Sequence, residues 1–202
     1  MIAEQLQNAW KQFDSGNAVG AEALYCQCLV HADTLDRATL SSVYMGLIYA
    51  ESFLGKFQEA RHYAALLLQG ARNNEDLHIA LHQSGMVERM AGNYEAAMAL
   101  FQREYTLIRD AFSGEDVLLA ANLYEQGILY MNSDDLARAQ ELMKQSLTHA
   151  LASQDPMCIG CSHRGLGEIL YKGGQFSQAD TFFVKAISAF QSAGDPLAVQ
   201  EV

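Results

Sequence analysis

The chain has 202 residues, half of them hydrophobic and 18% charged, with a net charge of −11 at neutral pH. That is too apolar for a disordered segment, and the acidic excess argues against a nucleic-acid partner, which needs a basic face. Only two prolines occur, a scarcity that fits long helices better than a sandwich of many turns.

Taken in chain order, the opening MIAEQLQNAWKQFDSGN lacks the basic start and apolar centre of a secretory signal. Its apolar spacing predicts a helix over about 2–14, followed by one over about 17–32. Helices are then predicted in pairs, over about 36–53 and 56–71, 76–91 and 93–112, 115–131 and 134–152, and 155–172 and 175–193. Pro196 opens an eleventh. No apolar run approaches the ~18 residues of a membrane span. The four cysteines, Cys26, Cys28, Cys158 and Cys161, are too sparse for a disulfide-stapled secreted fold. A cytoplasmic chain with reduced thiols is expected.

The pairs repeat. Asp36, Asp76, Asp116, Asp155 and Asp195 lie 40, 40, 39 and 40 residues apart, each just ahead of an apolar run. Aspartate at such a place accepts hydrogen bonds from the free N–H groups of a helix start. Between these anchors recur Gly55-Lys56-Phe57-Gln58-Glu59-Ala60, Gly92-Asn93-Tyr94-Glu95-Ala96-Ala97 and Gly174-Gln175-Phe176-Ser177-Gln178-Ala179. Ser133-Asp134-Asp135-Leu136-Ala137-Arg138-Ala139 lacks the glycine, and Gly16-Asn17-Ala18-Val19-Gly20-Ala21 lacks the aromatic. Glycine ends one helix in a left-handed cap, and alanine lets two helices approach. Gly85, Gly127 and Gly167 each stand 12 residues before their alanine, and Phe101, Met143 and Phe183 follow in the second helix. Ala186 completes the pattern, whereas Glu104 and Ser146 replace it.

On these residues the sequence resembles the tetratricopeptide repeat family over nearly its whole length. The period near 40 exceeds the family's usual one of about 34. It is similar to the long-repeat subset, found in kinesin light chains and some bacterial regulators. The resemblance implies an all-α fold: a right-handed α-solenoid of five helix-turn-helix repeats plus a short C-terminal helix, forming one domain over 1–202. The repeats fall at about 1–34, 35–73, 74–112, 113–153 and 154–193, with the terminal helix at 195–202. Gly46 stands two residues early relative to Ala60, and Trp10 with Phe13 suggests a similar slip in the first repeat.

The resemblance also implies that first helices line a concave groove that holds a protein or peptide segment. Carried over repeat by repeat, the groove positions are Met45, Tyr49 and Ser52, then Ile79, His82, Met86, Arg89 and Met90. They continue with Ala121, Tyr124, Ile128, Met131 and Asn132, then Cys161, Arg164, Glu168, Tyr171 and Lys172. Thioethers and flat rings suit an adaptable peptide surface, and Arg164 with Lys172 suits a carboxylate. Met86 and Ile128 serve equally well as core. Arg89, Arg164, Glu168 and Lys172 are expected to be exposed, because unpaired charges are seldom buried. The carboxylate clamp of chaperone-binding relatives is missing, since His82 and Met86, or Tyr124 and Ile128, stand where its lysine and asparagine belong.

Catalysis and cofactors find no support. There is no nucleophile elbow, phosphate loop or dinucleotide fingerprint. Cys158 and Cys161 share a helix face, but a zinc site needs about four ligands and no second such pair exists. His78 and His82 lie one turn apart without the glutamate of a metalloprotease motif. Glu88 and Glu125 read as ordinary helix-surface residues. The last long helix is rich in Phe176, Phe182, Phe183, Val184, Ile187 and Phe190, more than the terminal segment can cover. Either a homodimer through this apolar C-terminal end or further sequence outside this chain is therefore expected to cover it.

Overall fold

The computed structural model describes residues 2–202. Among these the regular structure is helical, with no strand. The helices are α1 (Ile2–Asp14), α2 (Ala18–Leu29), α3 (Arg37–Phe53), α4 (Phe57–Gly70), α5 (Asn74–Met90), α6 (Tyr94–Ala111), α7 (Asp116–Asn132), α8 (Leu136–Ser153), α9 (Pro156–Lys172), α10 (Phe176–Ala193) and α11 (Pro196–Gln200). A 3₁₀ turn at Ala32–Thr34 shortens α2 relative to its predicted end.

Three of the five anchoring aspartates cap helices as the spacing predicts. Asp36 accepts from the N–H of Thr39 at 2.8 Å, and Asp155 from that of Cys158 at 2.8 Å. Asp195 accepts from Leu197 and Ala198 at 3.0 and 2.9 Å. Pro156 and Pro196 follow their caps directly, where a missing N–H costs nothing. The other two do different work. Asn73 caps α5, while Asp76 reaches back from the first turn to the N–H of Arg72 and pairs with Arg37 at 2.8 Å. Asp116 is the first residue of α7, and its carboxylate meets His149 Nδ1 at 2.6 Å. Each still places negative charge at the positive end of a helix.

The turn that lacks glycine shows what the glycine does. Gly16, Gly55, Gly92 and Gly174 have φ between 72° and 82°, and Asp134 takes the same left-handed place at 61°. A short polar side chain tolerates that region at a modest cost, which lets the fourth repeat keep the turn.

The chain divides into two compact units, one reaching to Leu100 and one beginning at Phe101, with the boundary inside α6. In the first, α1 packs on α2, α2 on α3, α3 on α4 and α4 on α5. In the second, α7 packs on α8, α8 on α9, α9 on α10 and α10 on α11. Within each unit the odd helices also touch one another: α1 on α3, α3 on α5, and α7 on α9. They therefore share one side of each unit.

Ala21, Ala60, Ala97, Ala139 and Ala179 are all fully buried, as the close approach of paired helices requires. A β-carbon on Gly167 would lie 2.6 Å from the Phe183 ring, and one on Gly127 would lie 3.1 Å from Met143. Each glycine thus seats a side chain from the second helix of its own repeat. Gly46 does something else. It seats Tyr25 from the preceding repeat, as Gly165 seats Met143. Both glycines stand ten residues after their anchoring aspartate, so Gly46 is in register and not early. The second repeat instead exchanges sizes at the own-repeat contact. Ile48 replaces the glycine, Ala64 replaces the large residue, and both are buried in one cluster.

Candidate functional site

In the first unit, four aromatic side chains gather on the odd-helix side. The Phe13 ring lies 5.1 Å from Phe53 and 5.9 Å from Tyr49, and Trp10 stands edge-on to Tyr49 at 6.1 Å. Beside them opens a cleft of about 320 Å³, lined by Leu6 and Trp10 of α1, Ser42, Met45, Gly46 and Tyr49 of α3, and Tyr25 of α2. Trp10 remains 45% exposed, an unusual fraction for a residue with so much apolar surface. Gln83 on α5 donates to the Tyr49 hydroxyl at 3.3 Å and so orients that ring.

Of the predicted groove residues, Met45 and Tyr49 lie in this cleft. Trp10, which the repeat pattern marks only as part of a slip, lies there too. The signal for it is present in the sequence: Trp10, Tyr49, Met86, Ile128 and Glu168 each stand eleven residues before their turn alanine. His82, Met86 and Arg89 are half-buried along α5, and His82 lies 6.2 Å from the His78 ring.

In the second unit the odd-helix side is built around Arg164. Its Nη2 donates to the Tyr124 hydroxyl at 3.2 Å and its Nη1 to Glu201 Oε2 at 2.9 Å. Its guanidinium sits over the Phe190 ring at 5.8 Å, and its Nε is 3.7 Å from Glu168. The Arg164 side chain is only 19% exposed, which corrects the expectation of an exposed cation. The half-buried charge is paired on two sides and stacked on a third. Burial pushes the Tyr124 hydroxyl up to about 12, so it stays protonated at neutral pH. Burial also raises the Glu168 carboxyl, with Arg164 opposing and Glu201 adding to the rise.

Lys172 does not join Arg164 as a carboxylate pair. Its Nζ donates to the Met131 carbonyl at 2.9 Å and to Asp134 at 2.6 Å, which fastens the end of α9 to the turn after α7. Met131 packs half-buried against the core, and Ile128 is buried within it. Asn132 is exposed, and Tyr171 is exposed with its ring edge-on to Phe176 at 5.1 Å.

Glu88 takes a two-pronged bond from Arg61 at 2.7 and 2.9 Å and a third from Asn93. Glu125 is buried, contrary to the surface position expected of it. Burial pushes the Cys158 thiol up to about 12 and raises that of Cys161. Among the described residues, no three His, Cys, Asp or Glu side chains gather in a way that would hold a metal ion. No helix among them is long and apolar enough to cross a membrane.

These hairpins, with their turn alanines and glycine seats, have the tetratricopeptide-repeat-like fold. Solved structures of that fold superimpose on nearly the whole chain. A putative kinesin light chain of nearly identical TPR-like repeats from Podosopora anserina matches at 17% identity and a TM-score of 0.65, over 95% of this chain and 96% of that one. Aspartyl phosphate phosphatase F from Bacillus subtilis matches at 16% identity and a TM-score of 0.77, over 98% of this chain and 52% of its own. The apo form of the quorum sensor NprR from B. thuringiensis matches at 18% identity and a TM-score of 0.70, over 98% and 57% respectively. No family model matches the sequence, and no curated protein matches it.

Proposed function

We propose that this chain is a non-enzymatic, cytoplasmic module that binds a protein or peptide segment along the odd-helix sides of its units. The observation that carries the reading is the aromatic cleft between α1 and α3. A water-facing tryptophan beside Tyr49 and Met45 offers a flat, adaptable surface for an apolar anchor residue. The exposed Tyr171 extends the same chemistry to the second unit. The low proportion of charge at the cleft fits recognition by apolar contact, with the acidic remainder serving solubility.

The test is affinity capture from native lysate, with bound segments identified by mass spectrometry. Trp10→Ala combined with Tyr49→Ala should lose most of the captured partner while the helix content stays intact. Capture unchanged by both substitutions counts against the cleft. A regulatory module that responds to a small peptide is the alternative use of the same surface, favoured by the likeness to a quorum sensor. A synthetic peptide that raises the melting temperature on its own would select it. Self-association through exposed Phe176, Val184 and Leu197 is a separate proposal, overturned by a monomer in light scattering at micromolar concentration.

A further inference from the structure

Ile159 and His163 stand one turn apart on α9, and Lys185, Ser188, Ala189 and Ser192 keep helical spacing on α10. Together with Pro156 they line an open groove of about 390 Å³, wholly within the second unit. Ile159 and His163 lie on roughly the opposite side of α9 from Cys161 and Glu168. The groove therefore shares no residue with the odd-helix positions or the aromatic cleft. Its volume matches a ligand of a few carbons better than a long segment.

Two basic side chains of the groove meet at one ring. Phe182 lies 5.8 Å from the His163 ring and carries the Lys185 ammonium over its own face at 5.3 Å. Among the described residues Lys185 pairs with no carboxylate, whereas Lys172 is bonded to Asp134. No acid lines the groove, although the chain has a net charge of −11. Asp155, next to Pro156, is engaged by the N–H of Cys158 at 2.8 Å. His163 Nδ1 is shut off from solvent and bonds nothing. A buried N–H without an acceptor is the rarer defect, so the ring's hydrogen is assigned to Nε2. Burial, and after it Lys185, lowers the pKa of His163, so the ring is neutral at neutral pH.

We propose that this groove binds a small aliphatic monocarboxylic acid. Lys185 and the Nε2–H of His163 take the carboxylate, and Pro156, Ile159 and Ala189 take the apolar body. An unpaired ammonium beside a neutral ring donor suits one negative charge, and the apolar surface beside them has no use for a purely polar anion. The site stands apart from the reading of the odd-helix side and does not depend on it.

The test follows the six histidine rings by NMR in the full chain at fixed pH, with His163 identified as the signal lost in His163→Asn. Hexanoate should move the His163 signals saturably and leave the other rings in place. Hexanamide lacks the charge and acetate lacks the body, so each should need at least about tenfold higher concentration. Lys185→Met should raise the half-saturating concentration of hexanoate about three- to tenfold, and Lys185→Arg should restore it. Lys185 is exposed, so neither change threatens the fold. No saturation by hexanoate at tens of millimolar, an equal response to hexanamide or acetate, or an unchanged Lys185→Met overturns the site. A shift of all six rings together does so too, because it reports a bulk effect. N-acetyl-leucyl-leucine that saturates where hexanoate does not reassigns the groove to a peptide end and overturns the small-acid reading. Any of these failures leaves the aromatic cleft standing, because Trp10 and Tyr49 report on that separately.

Discussion

The ring of Tyr25 stands where a β-carbon on Gly46 would be. One repeat therefore fits the next through the absence of a side chain, and the fit is tight because Tyr25 is itself only 3% exposed. Gly46→Ala should destabilise the chain by about 1–3 kcal/mol through overpacking. Thermal unfolding would show it as a drop of several degrees. Tyr25→Leu in the same chain should recover part of the loss. A Gly46→Ala variant as stable as the parent would mean that Tyr25 can swing aside.

That contact also shows where the sequence is legible and where it is not. Helix starts and turns depend on local chemistry, so Asp36, Asp155, Asp195 and the turn glycines announce nearly every element within two residues. Gly46 depends on a residue 21 positions earlier, and its spacing alone reads as a slip. The exchange of Ile48 for Ala64 is hidden for the same reason, because only the pair conserves volume. The candidate cleft is half legible. Tyr49 falls in the aromatic cleft by repeat register, and Trp10 shares that register. The pairing of Arg164 with Glu201 spans 37 residues and no motif encodes it.

The two departures at the last small position of the second helix are repaired by their neighbours. Glu104 is buried and takes a bond from Asn122 Nδ2 at 2.8 Å, while Asn122 also donates to the Phe101 carbonyl and accepts from Gln126. Ser146 donates to the Ala120 carbonyl and meets Ser162 Oγ at 2.8 Å. Asn122 and Ser162 occupy equivalent places 40 residues apart. Asn122→Ala should cost about 2–3 kcal/mol, because it strips a donor from a buried carboxyl group. Ser146→Ala with Ser162→Ala removes both hydroxyls at once and should cost under about 1 kcal/mol. Denaturant titration of the two variants compares them, and equal losses would contradict the argument.

The single tryptophan of the chain, Trp10, lies in the cleft at 45% exposure. Its emission should therefore sit toward the long wavelengths of a wet indole in the free protein. A ligand whose apolar side chain fills the cleft would shift it to the blue and protect it from acrylamide. Titration with any captured peptide checks this directly. Binding that leaves the emission and quenching unchanged would place the contact elsewhere.

Glu51 gives the fold a pH dependence opposite to that of most carboxylates. It is 3% exposed on α3, and burial, reinforced by Glu22 and Glu59 and opposed by Lys56, pushes its carboxyl up from 4.5 to about 7. The lysine is already engaged with Glu22, at 2.6 and 2.7 Å. Between those two values the folded chain holds a proton that the unfolded chain releases. Stability should accordingly rise as pH falls from about 7.5 toward about 5, by an amount on the order of 3 kcal/mol at most. Glu51→Gln removes the ionisation while keeping the shape, so the variant should be the more stable chain above neutrality and should lose this slope. Urea unfolding of both chains across that range measures it. A parent chain whose stability falls on acidification with the same slope as the Gln variant would show that Glu51 is charged in the fold and that its burial is relieved by a partner not yet recognised.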